Sequence, residues 1–241
     1  KNESLVKTVK FKEYNYIGDP VNTVRIFNEL EVDELMFLDI FASKEGNSIN
    51  FKILKDIANE CFMPLSYGGN IKSLDDAKKI FKIGLKKVVI NSNAFDNLKL
   101  IEEISKYFGA QSIVGSIDIK QSFFGGQKVY SHHGKKKQSI GIVEWAIQLE
   151  KAGVGELLIT SVDKEGSWDG YDVELIKSIT HSVQVPVIAN GGCGAVEHIG
   201  EVVKKANASA CAVGSMVVYQ KKAMGVLVNF PDREILEEVL R

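Results

Sequence analysis

Short apolar runs alternate with longer amphipathic segments along most of this chain. The clearest pair is residues 187–189 and 210–213, which both lead into glycine within a residue or two. An apolar run without polar alternation is typical of a strand buried on both faces of a parallel sheet. The helical segment between these runs is long enough to be the crossover that joins parallel neighbours. The pattern therefore predicts consecutive strand and helix units.

The same pattern predicts seven such strands, with helices between them. The strands are expected at residues 34–39, 65–67, 87–91, 112–117, 156–160, 187–190 and 210–213. Helices are expected at residues 19–31, 50–61, 74–83, 98–108, 141–152, 173–180, between the last two strands, and at 232–240. Residues 1–18 alternate like a strand or hairpin arm, and Gly125-Gly126 favours a hairpin over residues 123–130, above the sheet's end.

The chain also resembles itself at an offset of about 122 residues, the mark of a duplicated half-barrel. Residues 68–92, the first cup, match residues 191–215, the second cup: each begins with paired glycines and ends in serine. Open backbone N–H groups at such strand ends favour phosphate. Two cups on one mouth predict an elongated ligand with a phosphate at each end. Residues 32–38 likewise match residues 154–160, and Lys44–Gly46 matches Lys164–Gly166.

We therefore predict an α/β fold, a single (β/α)8 TIM barrel with twofold half-barrel duplication over residues 1–241. Such a barrel typically needs about 250 residues. Seven strands are counted, and a barrel short of one strand would leave two unpaired edges. The first strand is therefore expected to precede residue 1.

Composition narrows the function. A net charge of −1 gives no electrostatic footprint for nucleic acid. No apolar run approaches the ~18 residues of a membrane span. Three scattered cysteines are too few for a disulfide framework or a zinc site, which favours the cytoplasm and predicts neither a metal nor a cofactor.

Asp118 follows the fifth predicted strand, where barrel enzymes place catalytic groups. A carboxylate there could be a general acid or base, or could simply cap a loop or hold Lys120. Its counterpart in the repeat would precede residue 1. Glu165 could contact a ligand or be a solvated charge. Further candidates for substrate contacts at the same end are Asp39, Thr160, Asp163 and Gly166.

Charged residues begin three of the predicted strands: Glu34, Lys87 and Glu156. They should all lie near the amino-terminal rim of the barrel. Surface salt bridges are the ordinary explanation. The alternative is a charged ring around an opening into the core.

Taken together, these motifs cover nearly the whole chain, which resembles the cyclase subunit of imidazole glycerol phosphate synthase, the HisF family. The resemblance is carried by Gly18-Asp19-Pro20, residues 32–40, Gly68-Gly69-Asn70-Ile71, Ile117-Asp118, Gly134-Lys135-Lys136, residues 163–166, Gly170-Tyr171-Asp172 and Gly191-Gly192. It implies a barrel whose amino-terminal face binds a HisH-like glutaminase. Ammonia from that partner would cross the barrel to a bis-phosphorylated substrate.

The resemblance also implies residue roles. Asp118 matches one of two catalytic aspartates, and Lys7 matches a lysine of the first active-site loop. Glu34, Lys87 and Glu156 match the gate of the ammonia passage. The phosphate contacts match Gly69, Asn91, Ser92, Gly166, Gly192, Gly214 and Ser215.

Several positions depart from the family pattern: Asn70, Lys86, His133 and Glu165. Such changes, with residues 5–11 and 18–22, look like a paralogous group that supplies ammonia to an amidotransferase converting acetamido to acetamidino sugars of surface polysaccharides. Three hypotheses stay open: this paralog, the histidine-pathway cyclase, and a non-catalytic conduit or scaffold for the glutaminase. The residue that matches Asp118 in the first strand would discriminate among them.

Overall fold

The structure, a computed structural model, describes residues 3–42, 48–122 and 125–241. The expected Lys44–Gly46 repeat and the Phe123-Phe124 pair lie outside these residues. The strands are β1 (Leu5–Val9), β2 (Glu13–Gly18), β3 (Leu35–Leu38), β4 (Leu65–Gly68), β5 (Lys87–Ile90), β6 (Ile113–Gln121), β7 (Gln127–Ser131), β8 (Lys136–Lys137), β9 (Glu156–Ser161), β10 (Val187–Asn190) and β11 (Ala210–Ala212).

Ten α-helices are described between and after these strands. They are α1 (Pro20–Glu29), α2 (Phe51–Glu60), α3 (Leu74–Ile83), α4 (Ser92–Asp96), α5 (Lys99–Phe108), α6 (Ile142–Ala152), α7 (Val173–Thr180), α8 (Val196–Ala206), α9 (Ser215–Val218) and α10 (Arg233–Leu240). The predicted helices are confirmed to within about two residues at each end. The short helices α4 and α9 were not predicted.

Helix ends are fixed by local side chains, as the sequence indicates. Asp19 accepts a hydrogen bond from the Asn22 N–H at the start of α1, where Pro20 needs no partner. Asp172 does the same for α7, where its side chain accepts a hydrogen bond from the Leu175 N–H. A reciprocal capping box between Ser73 and Asp76 starts α3.

Seven strands form a parallel sheet in the order β3-β4-β5-β6-β9-β10-β11. At least one helix connects each pair of parallel neighbours. Between β6 and β9, the β7–β8 hairpin precedes that helix. This is the arrangement of a (β/α)8 barrel, so the predicted fold class is confirmed. Within the described residues, β3 and β11 each have one parallel partner.

The two halves repeat each other in strand register. Leu35 of β3 lies opposite Leu65 of β4, and 122 residues later Leu157 of β9 lies opposite Val187 of β10. A short helix that begins with serine then follows the last strand of each repeat, α4 after β5 and α9 after β11. The duplication read from the sequence therefore extends to strand pairing.

Strand residues alternate between two apolar layers. One set packs between the sheet and the surrounding helices, in the main core. The opposite set forms a smaller cluster of its own, which the alternation places inside the barrel. This interior cluster consists of Met36, Val89, Val114, Leu158, Ile188 and Ala212.

Two elements depart from the expected outline. Strand β6 does not end at Asp118 but continues to Gln121, because β7 pairs with it antiparallel and supplies a further ladder. Asp118 itself lies opposite Tyr130 of β7. The predicted hairpin is therefore confirmed, and the predicted strand end was wrong. In the described part of the chain, no helix combines the length and apolarity that crossing a bilayer requires.

Candidate functional site

A pocket of about 150 Å³ opens at the carboxyl ends of the parallel strands. Strand ends from both halves of the sheet contribute to it, since Gly68, Ile90, Thr160 and Asn190 all line its wall. Six of the residues predicted for the site line this pocket: Asp39, Gly69, Asn91, Ser92, Asp118 and Thr160.

Asp118 is the buried carboxyl group of this pocket, with 7% of its surface exposed. Burial raises the pKa of Asp118 to about 7, and a hydrogen bond from the Asn91 side chain partly opposes the rise. A carboxyl group that titrates near neutral pH can both donate and accept a proton under working conditions. The other amide atom, Asn91 Oδ1, is buried and accepts no hydrogen bond from the described residues. The pocket therefore holds a carboxyl group that titrates near neutral pH beside an unsatisfied acceptor.

Polar side chains at neighbouring strand ends extend this arrangement. Thr160 is 2% exposed, and its Oγ1 accepts a hydrogen bond of 3.0 Å from Asn190 Nδ2. Ser116, two residues before Asp118, also lines the pocket. Asn190 and Ser116 were not among the predicted site residues. Their inward positions at the ends of β10 and β6 are the signal that could have identified them.

The first cup opens into this pocket. Ser92 Oγ already accepts a hydrogen bond of 2.8 Å from the His132 N–H. Asp39 Oδ1 accepts hydrogen bonds of 3.0 Å from the backbone N–H groups of Phe41 and Ala42. This carboxylate oxygen therefore stabilises the loop after β3. Gly69 has room for no side chain, because a Cβ would lie 2.5 Å from Tyr67 Oη.

Two aromatic side chains cover the first cup. Phe11, at the turn between β1 and β2, stacks on His133 with ring centroids 4.7 Å apart and planes 10° apart. Both rings line the pocket. His133 Nε2 also lies 3.0 Å from the Tyr14 hydroxyl oxygen. His133 therefore belongs to the pocket, with its ring orientation fixed by residues of the β1–β2 hairpin.

The second cup is surrounded differently, and its predicted residues do not line the pocket. Gly192 has φ +110°, and a Cβ there would collide with the carbonyl oxygen of Gly170. Near the other strand end, Lys7 Nζ lies 2.8 Å from where a Cβ of Gly214 would be. The side chain of Ser215 is buried. A cation from the β1–β2 hairpin is thus next to the second cup.

The acidic side chains in the loop after β9 contact other parts of the protein. Asp163 Oδ2 accepts a hydrogen bond of 2.6 Å from the Gln121 N–H, which ties the loop to the end of β6. Glu165 is 6% exposed, which excludes the solvated-charge interpretation. Gly166 has φ +71°, and a Cβ there would lie 2.7 Å from the carbonyl oxygen of Thr8. The proposed ligand contacts of Asp163 and Gly166 stay predictions.

At the opposite end of the barrel, the three charged strand-start residues converge. Lys87 Nζ lies 2.9 Å from Glu34 Oε2 and 2.8 Å from Glu156 Oε1. Ser66 Oγ donates a further hydrogen bond of 2.7 Å to Glu34. Burial lowers the pKa of Lys87, but hydrogen bonds to Glu156 and Glu34 outweigh burial and leave this pKa raised. The ammonium group is therefore held charged between two carboxylates.

These two polar regions are separated by the apolar interior cluster. Along β5, Lys87, Val89 and Asn91 share the inward face, and along β9 so do Glu156, Leu158 and Thr160. The inner surface of the barrel is thus charged at the amino-terminal end, apolar in the middle and polar at the mouth. In the described part of the chain, no three His, Cys, Asp or Glu side chains are grouped to hold a metal ion.

Comparison with known proteins agrees with this architecture. Residues 1–223 match the model of the family described as histidine biosynthesis protein. A Pseudomonas aeruginosa protein with the provisional name imidazole glycerol phosphate synthase subunit hisF2 is 47% identical, over 96% of this chain and 92% of its own length. A Vibrio vulnificus protein provisionally named subunit hisF3 is 40% identical over 96% and 89%, respectively.

A third relative, from Methanococcus vannielii, is named imidazole glycerol phosphate synthase subunit HisF. It is 38% identical over 92% of this chain and 89% of its own length. The family match spans most of the chain, and all three relatives exceed 30% identity over nearly the full barrel. This chain therefore belongs to the histidine biosynthesis protein family, as a HisF-like subunit of the imidazole glycerol phosphate synthase type.

Proposed function

We propose that this barrel accepts ammonia from a glutaminase and delivers it to the pocket that contains Asp118. The single observation that carries this proposal is the order of groups along the inner surface. The Glu34–Lys87–Glu156 cluster stands at the amino-terminal end, an apolar interior follows, and a titratable carboxyl group stands at the other end. Neutral ammonia passes through apolar surroundings far more easily than ammonium, because a bare charge is costly to desolvate.

The glutaminase partner would bind at the amino-terminal face, where Glu34, Lys87 and Glu156 begin or precede their strands. Lys86 lies beside this cluster and is exposed, so the partner surface should offer it a carboxylate. The proposed setting is the cytoplasm, where the three free cysteines would stay reduced.

For the nitrogen acceptor, we favour the paralogous function in surface-polysaccharide biosynthesis. There, a separate amidotransferase would activate the amide oxygen of an acetamido sugar with a nucleoside triphosphate. Ammonia would then form the new C–N bond as the C–O bond breaks and the oxygen leaves on the phosphoryl group, giving an acetamidino sugar. Two features support this choice. His133 and Glu165 depart from the cyclase pattern at the mouth, and the Pseudomonas aeruginosa and Vibrio vulnificus relatives have the numbered names hisF2 and hisF3.

The histidine-pathway cyclase is the second candidate. The observation that favours it is the pocket itself: Asp118 with a pKa near 7 lies beside the first cup, as a proton-transfer group for ring closure would. In this alternative, Asp118 acts on a bis-phosphorylated ribotide whose two phosphates occupy the two cups. A conduit without chemistry of its own would give this carboxyl group no role.

One pair of assays separates these candidates. Full-length native protein is supplied with ammonium salt and the bis-phosphorylated ribotide, and formation of imidazole glycerol phosphate is measured. In parallel, it is combined with its glutaminase, the amidotransferase, glutamine, a nucleoside triphosphate and an acetamido sugar. We expect acetamidino sugar in the second assay and no turnover in the first. Turnover in the first assay would establish the cyclase instead, and activity in neither would contradict the ammonia-accepting barrel.

A further inference from the structure

The β1–β2 hairpin, here called the arm (residues 5–18), reaches both cups. Near its beginning, Lys7 Nζ lies beside Gly214 in the second cup. At its turn, Phe11 stacks on His133 over the first cup. Among the described residues, β1 and β2 pair with each other in a separate two-stranded sheet and with no further strand. The arm's position on the barrel mouth must therefore be fixed by other contacts.

The side chain of Glu165 provides the densest group of these contacts. Its Oε1 accepts hydrogen bonds from Lys7 Nζ at 3.3 Å and Thr8 Oγ1 at 3.0 Å, and its Oε2 accepts from the Phe11 N–H at 3.2 Å. The Glu165 carbonyl oxygen also accepts from the Lys10 N–H at 3.0 Å. These four donors all belong to the arm.

The ion pair between Lys7 and Glu165 is less exposed than an ordinary surface salt bridge. The Glu165 side chain is 8% exposed, and that of Lys7 is 25% exposed. A buried carboxylate is stable only with hydrogen-bond donors, and here the donors come from a segment that could otherwise swing away. Gly166 permits the close approach, because a Cβ there would lie 3.0 Å from Val9 Cα. Glu165 therefore has the geometry of an anchor for the arm.

We propose that Glu165 is a positioning residue that fixes the arm across the mouth and so places Lys7 at the second cup. This inference rests on the proposed function in one respect, that the second cup takes an anionic group of the substrate. When a phosphate occupies that cup, Lys7 has two partners, the phosphate and Glu165. Thr8 and Phe11 keep the arm in place through the same carboxylate.

Two measurements test this role, with Glu165→Ala as the main variant and Glu165→Gln as its isosteric partner. Trypsin cleavage after Lys10 and Lys12 at the arm's turn reports arm opening. Since hydrogen bonds to a charged group are lost, cleavage should be about tenfold faster in Glu165→Ala and intermediate in Glu165→Gln. Glu103→Gln, on the exposed face of α5, is the matched control and should cleave like the wild type. Circular dichroism establishes that each variant is folded.

The second measurement is the affinity for inorganic phosphate, by calorimetry, in the wild type, Glu165→Ala, Lys7→Met and the double variant. If Glu165 acts through Lys7, each single change weakens phosphate binding, and the double variant binds no more weakly than Lys7→Met. Additive losses would show a general structural role and overturn the proposal, as would tighter binding in Glu165→Ala.

The two measurements also separate this proposal from the proposed function. Unchanged tryptic cleavage in Glu165→Ala overturns the anchor whatever binds to the second cup. The wild type could also bind no phosphate while cleavage of the arm is still faster in Glu165→Ala. That result would support Glu165 as the anchor of the arm but overturn its link to the second cup. It would also remove the support for a bis-phosphorylated ligand.

Discussion

The two cups have the same sequence pattern and similar strand registers, but different surroundings. The first cup opens into the pocket with Asp118 and is covered by Phe11 and His133. The second cup lies against the protein's own backbone at Gly192 and beside the side chain of Lys7. The two cups also differ in backbone conformation, since Gly191 and Gly192 have φ +93° and +110° whereas Gly68 and Gly69 have no positive φ. The chemistry beside each cup is set by elements outside the repeat, chiefly the arm and the β6–β7 hairpin.

The largest expected effect tests whether chemistry is confined to the first cup. Asp118→Asn removes the proton-transfer group while keeping its size. In the assay with the bis-phosphorylated ribotide, turnover by an active wild type should fall roughly 100- to 10,000-fold, whereas supply of ammonia to a separate amidotransferase requires no proton transfer by Asp118. Asp56→Asn, exposed on α2, serves as the control. Full activity in Asp118→Asn would instead favour the conduit.

The next prediction concerns how the Asp118 carboxyl group makes the unfolding free energy depend on pH. The ordinary pKa of the Asp118 carboxyl is 3.8, and burial raises it to about 7 in the folded protein. Between these values the unfolded chain ionises while the folded protein keeps its proton, so stability falls as pH rises. Relative to Asp118→Asn, the wild type should lose up to about 4 kcal/mol between pH 4 and pH 7. Urea unfolding across this range measures it, and a constant difference would contradict the buried, raised-pKa carboxyl group.

Glycine substitutions compare the two cups directly. Gly192→Ala must place a Cβ against the Gly170 carbonyl oxygen at φ +110°, so about 3 kcal/mol of stability should be lost. Gly69→Ala meets the buried Tyr67 hydroxyl and Asp39 Cβ but needs no positive φ, so it should cost less, about 2 kcal/mol. Equal losses in urea unfolding would mean that the cups are equally constrained.

The smallest expected effect concerns the cover of the first cup. Phe11→Ala removes the stack on His133 and should lower the unfolding free energy by about 1 kcal/mol. Phe62→Ala is the matched control, because Phe62 is 85% exposed. Thermal unfolding of both variants would reveal whether the aromatic cover contributes, and identical melting curves would exclude it.

The sequence predicts the barrel well because its signals are local. Apolar runs marked the seven parallel strands, and Asp19, Asn50 and Asp172 cap helices that begin within a residue of the predicted starts. The convergence of Glu34, Lys87 and Glu156 followed from parallel strands starting at one rim.

The loop after β9 was less predictable, because contacts with segments distant in sequence determine where its side chains lie. Asp163 and Glu165 look alike as loop acids, but Asp163 binds the backbone of Gln121 and Glu165 binds the arm. The continuation of β6 past Asp118 likewise depends on β7. Which acid faces a ligand is decided by long-range packing that spacing alone does not encode.

The central claim, that ammonia enters past Lys87 and is delivered to the pocket at the mouth, is tested most directly by Lys87→Met in complex with the glutaminase. Turnover is measured once with glutamine and once with ammonium salt as the nitrogen source. We predict that glutamine-dependent turnover falls at least about tenfold, equivalent to about 1.4 kcal/mol, while ammonium-dependent turnover keeps its rate. Equal loss with both nitrogen sources, or no loss with either, would contradict entry through this cluster.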